Sequence, residues 1–280
     1  MLLNRPVYFT REAIMNLAPA RIITLMTDFG TNDHYVGVMK GVILSINPQA
    51  QIVDITHTIP PQEIHGAAFL IDSAYRYFPT GTIHLIVVDP GVGSERRAIV
   101  CQTQTAYFVC PDNGIVTHLL HNEGPIHTVT VENSTYFLPQ VSNTFHGRDI
   151  FAPVAAHLSR GVSIDKLGNP VTNPVQLPIP KPEVTNETIV GHVIWIDSFG
   201  NLITNISREI LESLGGQNSV VIYAGIAKID RLNHSYAESA AGEPLAIIGS
   251  SNRLEVSINQ GDAAQVLGLK RGDAITVGVR

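Results

Sequence analysis

Asp89 opens the loop DPGVGSERR and the charged pair Arg96 and Arg97 closes it, and a carboxylate and a guanidinium held by one short loop can face the same reacting atom. Such a pair can orient a water, take its proton and steady charge that develops on oxygen. It can equally be a structural ion pair that ties the loop down. The residues just before it, Ile83, Leu85, Ile86, Val87 and Val88, form a nearly continuous apolar run. That pattern suits a strand buried on both faces of a parallel sheet. Asp89 then sits at the carboxyl end of that strand, where open α/β sheets bind ligands.

Other groups point the same way. RIITLMTDFG ends a first strand in Asp28, QIVDITH ends a second in Asp54, Thr56 and His57, and FHGRDIF brings His146, Arg148 and Asp149 together. Acids and histidines of these types can bind a metal for hydrolysis, but no tight ligand spacing of the H-x-x-x-H or D-x-D kind is present. They can also grip a polar organic ligand and activate water without a metal. Further on, Asp197-Ser198-Phe199-Gly200-Asn201-Leu202 places an acid, a Phe able to stack on a flat ring and an Asn able to face the edge of adenine. An ordinary hairpin turn with a packed Phe would read the same. Gly249-Ser250-Ser251-Asn252 is a small-residue loop that turns the chain or hydrogen-bonds a carboxylate, and Glu255 is then a candidate for an amine. Dinucleotide-binding, P-loop and nucleophile-elbow motifs are absent.

Strand, helix, strand, helix, strand up to Asp89 is the signature of an α/β domain with a mostly parallel sheet. The helices are expected over His34–Ile46 and Gln62–Phe78. A hairpin follows over Ala98–Gln102 and Ala106–Val109, then a helix over Phe145–Arg160. Four prolines lie between Asn173 and Glu183, too many for a helix or a central strand. After them come short apolar or alternating runs (189–196, 202–206, 220–227, 245–248, 254–258, 274–279), as in a smaller all-β, barrel-like domain. The expected boundaries are a leader over residues 1–20, an α/β domain over 21–172, a linker over 173–186 and a β-domain over 187–280.

With 44% hydrophobic and 15% charged residues, the 280-residue chain can build a real core in each domain. Its net charge of −6 argues against nucleic acid and is compatible with a cationic ligand. No apolar run reaches the ~20 residues of a membrane span. Cys101 and Cys110 read as reduced core residues of a cytoplasmic protein.

TDFG, VDITH, DPGVGSERR, CPDNG, FHGRDIF, IDSFGNLITN and GSSNRLEVSINQGDAA together carry a resemblance over residues 21–280. The chain resembles the S-adenosylmethionine (SAM) hydrolases, also called SAM hydroxide adenosyltransferases, relatives of the fluorinase and chlorinase. The resemblance implies a homotrimer with ligand between one subunit's first domain and its neighbour's second. It implies hydrolysis of SAM to adenosine and L-methionine with no metal or other cofactor. The family's water-activating triad falls on Asp89, Arg96 and His146, its ribose-binding acid on Asp28 and its adenine-side residues on Phe199 and Asn201. The methionine end falls to Asp33, Asp197 and Ser250, with Glu255 and Ile258 near the ligand. Halide-using relatives carry a neutral residue where Asp89 stands, and a carboxylate there repels a desolvated halide. Two other functions fit the residues: a metal-dependent nucleoside hydrolase using Asp28, Asp54, Asp89 and His146, and a non-catalytic adenosine or SAM sensor.

Overall fold

The computed structural model describes residues 17–123, 126–214 and 220–279. The chain divides into two units, Met1–Leu177 and Pro178–Arg280. In the first, the described elements run β1 (Ile22–Thr27), α1 (Tyr35–Ile46), β2 (Gln51–Thr56), α2 (Ile64–Ala74), β3 (Thr82–Val87), β4 (Ala98–Gln102), β5 (Ala106–Pro111), α3 (Thr117–Asn122), β6 (His127–Thr130) and α4 (Ala152–Ser159). The strands form one sheet in the order β2-β1-β3-β5-β4-β6. β1, β2, β3 and β5 are parallel, and β4 runs against both β5 and β6.

The nearly continuous apolar run of β3, broken by His84, has a direct cause. Successive side chains point to opposite faces of a sheet, and both faces here are covered. Leu25, Leu85 and Val87 pack with Met39 and Ile43 of α1 and Val154 and Leu158 of α4. Met26, Ile86 and Val88 pack on the other side with Ala67 and Ile71 of α2 and Leu119 of α3. Cys101 and Cys110 are free thiols in that second layer, and burial pushes the Cys101 thiol up to about 12.

Several boundaries differ from expectation. The helix expected from Gln62 starts at Ile64, because Gln62 takes a left-handed backbone (φ 67°) and Glu63 caps the helix, accepting from Gly66 N at 3.3 Å. It ends at Ala74 in a 3₁₀ turn, Tyr75–Tyr77. The helix expected from Phe145 opens instead as a π turn, Gly147–Phe151, and is regular only from Ala152. β6 and α3 were not anticipated, both being short. Of the leader expected over 1–20, the first sixteen residues lie outside the described ones. Ala20 N–H donates to Gly81 O at 2.7 Å.

The second unit runs β7 (Glu183–Val184), β8 (Thr188–Ile196), β9 (Leu202–Ser207), α5 (Arg208–Glu212), β10 (Val220–Ala224), β11 (Ala227–Ile229), β12 (Pro244–Ile248), β13 (Arg253–Ile258), α6 (Ala263–Leu267) and β14 (Ala274–Val279). The run read as one strand over 220–227 is a hairpin, broken where Gly225 adopts φ 58°. Strand order is β11-β10-β14-β8-β9-β13-β12, all antiparallel, with β7 also on β8. Asn233, just after β11, bridges to Ile247 of β12 and nearly closes the sheet into a barrel around Ile189, Val193, Ile222, Val256 and Val277. Among the described residues, no helix is long and apolar enough to cross a membrane.

One buried group ties the fold to pH. His84 of β3 is fully buried, bonded through Nδ1 to Thr24 Oγ1 at 2.8 Å and stacked on Phe108 at 5.0 Å. Burial depresses its pKa to about 3, against about 6.5 in an unfolded chain. Between those values the unfolded state binds the extra proton, so stability is full above about pH 6.5 and falls as the pH drops. The expected loss at pH 5 is about 2 kcal/mol. Urea midpoints at pH 7 and pH 5 should show it, and His84→Gln should remove that part of the pH dependence whatever its own cost at pH 7.

Candidate active site

The loop after β3 delivers Asp89 and Arg96 to one point. Val88 O accepts from Asn113 Nδ2 at 2.9 Å, which pins the strand end to the PDNG turn. Inside the loop, Val92 N–H donates to Asp89 O and Ser94 Oγ donates to Gly91 O, and the chain returns at Arg96. The Arg96 guanidinium then forks onto the carboxylate. Nε donates to both Asp89 oxygens at 3.0 Å and Nη2 to Oδ2 at 2.5 Å. Both side chains are nearly buried, at 5% and 11% exposure for Asp89 and Arg96. The guanidinium also lies over the Phe151 ring, 5.3 Å from its centre.

The same Nη2 lies 2.7 Å from His146 Nδ1. Arginine has no acceptor, so Nδ1 must accept, and the imidazole is neutral with its proton on Nε2. Burial and the Arg96 charge both hold the His146 pKa below the ordinary histidine range, with Asp89 and Asp149 opposing them. Asp89, Arg96 and His146 therefore form one hydrogen-bonded chain, fifty residues of sequence apart at its last link.

Two glycines set the approach. Gly93 has φ 78°, and a Cβ there would fall 2.2 Å from Asn143 O, so the Asp89 loop rests directly on the backbone of the His146 loop. A Cβ on Gly147 would meet Met39 Sδ and the Phe145 ring at 3.2 Å. The adjacent Arg97 turns elsewhere. Its Nε donates to Asp112 Oδ2 at 2.7 Å and its Nη2 to Asn173 O at 2.8 Å.

Asp28, after β1, accepts from the Gln62 backbone N–H at 2.8 Å. Its loop is braced from behind: Thr27 Oγ1 is 2.9 Å from His57 Nδ1, and Gly30 N–H donates to His57 O. Asp54 lies against the same His57. It pairs with Lys40 at 2.6 Å and lies 3.0 Å from His57 Nε2, off the line of a good hydrogen bond. Burial raises its pKa, but Lys40 and His57 outweigh that and hold it below the carboxylate range. Among the described residues no three His, Cys, Asp or Glu side chains are grouped as metal ligands, so Asp28, Asp54, Asp89 and His146 do not make one set. Asp33 is exposed before α1.

Next to Asp28 and His146 in the chain, Phe29 and Phe145 line a cleft of about 500 Å³ with His34, Tyr35, Ser142, Thr144 and Arg148. Phe29, Tyr35 and Phe145 meet at 5.2–5.8 Å, the Tyr35–Phe145 pair edge-on at 90°. None of these rings was singled out from sequence. The signal available was an aromatic residue beside each of two candidate polar groups.

The remaining candidates lie in the second unit. Asp197 Oδ1 accepts from the backbones of Phe199 and Asn201, and Oδ2 from Asn201 Nδ2, all at 2.9 Å. Asn201 is thereby buried, while Phe199 is 75% exposed. Glu255 is buried on β13, its Oε1 accepting from Tyr236 OH at 2.6 Å and Ser257 Oγ at 2.9 Å. Its Oε2 occupies the space a Cβ on Gly249 would take. Burial, then the Glu255 carboxylate, drive the Tyr236 hydroxyl pKa upward. Ser250 is exposed in its turn, which closes through Asn252 at φ 59°. Ile258 packs in the barrel core.

Comparison with known proteins gives a consistent picture. Residues 23–168 match the SAM hydroxide adenosyltransferase N-terminal domain and residues 191–276 its C-terminal domain. A protein of Thermus thermophilus named (R)-S-adenosyl-L-methionine hydrolase is 37% identical over 90% of this chain and 97% of its own. One of the same name from Salinispora tropica is 34% identical over 93% and 99%. A fluorinase from an Actinoplanes species is 29% identical over 91% and 97%. The crystal structure of an uncharacterized conserved protein from Thermotoga maritima is 40% identical, with a TM-score of 0.86 over 91% of this chain and 99% of that one.

The contact at Gly93 yields a test. Gly93→Ala should force the two loops apart, lengthening the Arg96–His146 separation beyond hydrogen-bond range in a crystal structure while the sheet stays in place. An unchanged separation would show that the glycine is not what sets it.

Proposed function

Because the chain belongs to the SAM hydroxide adenosyltransferase family, we propose that it hydrolyses SAM, in the (R) sulfonium form named for its relatives, to adenosine and L-methionine. The observation that carries this is the Asp89–Arg96–His146 chain of hydrogen bonds, with Asp28 as the ribose acid and the aromatic cleft beside both. Bulk water has a pKa near ~15.7 and is a poor nucleophile at neutral pH. The chain divides the work by hydrogen-bond type. Asp89 is the only pure acceptor of the three and takes the water proton. Arg96 and the His146 Nε2–H are donors, and they steady the oxygen as it gains hydroxide character. The oxygen forms a bond to ribose C5′ as the C5′–S bond breaks, and the electron pair goes to sulfur. A sulfonium becomes a neutral thioether, so the cationic leaving group needs no acid.

Phe199 and Asn201 take the adenine side and Asp33, Asp197 and Ser250 the methionine end, with Glu255 and Ile258 near it. The assembly is a homotrimer in which a neighbour's second unit completes each site. Two buried free thiols suit a reducing compartment, here the cytoplasm. No metal or other cofactor takes part.

Purified protein incubated with SAM should release adenosine and methionine, and EDTA should leave the rate unchanged. Loss of activity in EDTA would favour a metal hydrolase, and binding without product a sensor. With chloride added, no chloroadenosine should form. Asp89→Ala and Arg96→Ala should abolish adenosine release while SAM still binds; near-normal turnover in either would overturn the triad. Activity should persist through pH 6.5 and fall below it as His146 is protonated and its Nδ1 no longer accepts from Arg96. Mixing Asp89→Ala and Phe199→Ala subunits should restore part of the activity that each lacks alone, if neighbours share sites.

A further inference from the structure

We propose that Asp149, acting with Ser142, is a positioning residue that sets His146 against Arg96. The proposal rests on the catalytic role assigned above to His146. Asp149 is completely buried in the π turn that follows His146. Its carboxylate accepts from four donors: the Ser142 backbone N–H and Oγ, both at 2.8 Å, and Arg148 Nε at 2.5 Å and Nη2 at 3.0 Å. Ser142 Oγ in turn accepts from Phe145 N–H at 3.1 Å, and Leu138 N–H donates to Asp149 O. One buried acid thus closes the segment 138–149 into a loop with His146 near its end.

This loop does more than stay folded. Asn143, one residue from Ser142, is the backbone on which Gly93 of the Asp89 loop rests. The bonds from Asp149 to Ser142 therefore fix the surface that aligns the two halves of the triad. The widened π turn is also a device found at functional sites.

The charge itself acts on His146. The charged groups acting on the imidazole are Arg96 and Asp89 from the loop after β3, and Asp149 from its own turn, itself paired with Arg148. Arg96 disfavours the imidazolium, and Asp89 and Asp149 favour it. Burial raises the Asp149 pKa, but Arg148 and the two Ser142 bonds outweigh it, so Asp149 stays ionised below the usual range. Removing its charge and removing its partner's charge must then move His146 in opposite directions.

Three variants separate positioning from simple support. Asp149→Asn should cut kcat about tenfold or more with KM for SAM within about twofold, and move the acid limb of activity to lower pH. Arg148→Gln, which leaves the carboxylate uncompensated, should move that limb to higher pH. Ser142→Ala keeps the charge and three of its four bonds but removes the hydroxyl that ties Asp149 to Ser142 and Phe145; it should lower kcat and leave the limb where it is. The His146 imidazole resonance, assigned by its loss in His146→Asn, should titrate with the same opposite shifts. Because this readout needs no turnover, it tests the proposal even if wild-type protein releases no adenosine, a result that would count against the function alone. Shifts of the same sign in Asp149→Asn and Arg148→Gln, or no shift with kcat intact, would overturn it.

Discussion

A guanidinium can donate hydrogen bonds and cannot accept them, and this one-way chemistry orders the whole site. Arg96 places Nε and Nη2 on Asp89 and the same Nη2 on His146 Nδ1. That forces the imidazole to be an acceptor at Nδ1, hence neutral and a donor at Nε2. The direction of each hydrogen bond among the three side chains is thereby fixed. The carboxylate alone retains lone pairs for a proton. Burial strengthens the arrangement, because water does not compete for donors at a nearly closed pair.

The rest of the first unit serves that constraint. A parallel strand covered on both faces ends rigidly, so Asp89 starts from a fixed point. The loop then has to return to the carboxylate within a few residues, and it does so on glycine. Gly93 meets the Asn143 carbonyl with no room for a side chain, so the loops bearing Asp89 and Arg96 on one side and His146 on the other are aligned by backbone contact. Neighbouring Arg97 shows how local the division is: one residue on, the same type of side chain clamps Asp112 and Asn173 instead. In the second unit the polar candidates are organised differently. Asp197 binds its own turn and Asn201, presenting Phe199 outward, while Glu255 is buried against Tyr236 and Ser257.

Much of this was legible from residues alone. Apolar runs placed the parallel strands, the boundary between the two units falls at Leu177–Pro178 within the four-proline stretch, while Glu183–Val184 of the expected linker forms β7, and the alternating runs after it are the barrel strands. The failures share a cause. Gln62 and Phe145 looked helical by periodicity, but a left-handed backbone at the first and a π turn at the second are set by partners distant in sequence or by packing that a pattern of apolar residues does not encode. The hairpin at Gly225 was hidden because a continuous apolar run has the same appearance whether or not it reverses. The aromatic cleft has no signature in the chain, since Phe29, Tyr35 and Phe145 meet only through the fold.

The amino-acid sequence determined which chemistry was available: strand ends carrying acids, a short glycine loop returning an arginine, and a histidine on a glycine-bearing turn. These are properties of residue type and short spacing, which local physics can express. Only the tertiary structure decided that Asp54 is held by Lys40, that Arg96 and not Arg97 meets Asp89, and that His146 is a neutral donor. Each of those outcomes depends on which groups fold to within about 3 Å of one another, and hydrogen-bond direction has no meaning until both partners are in place.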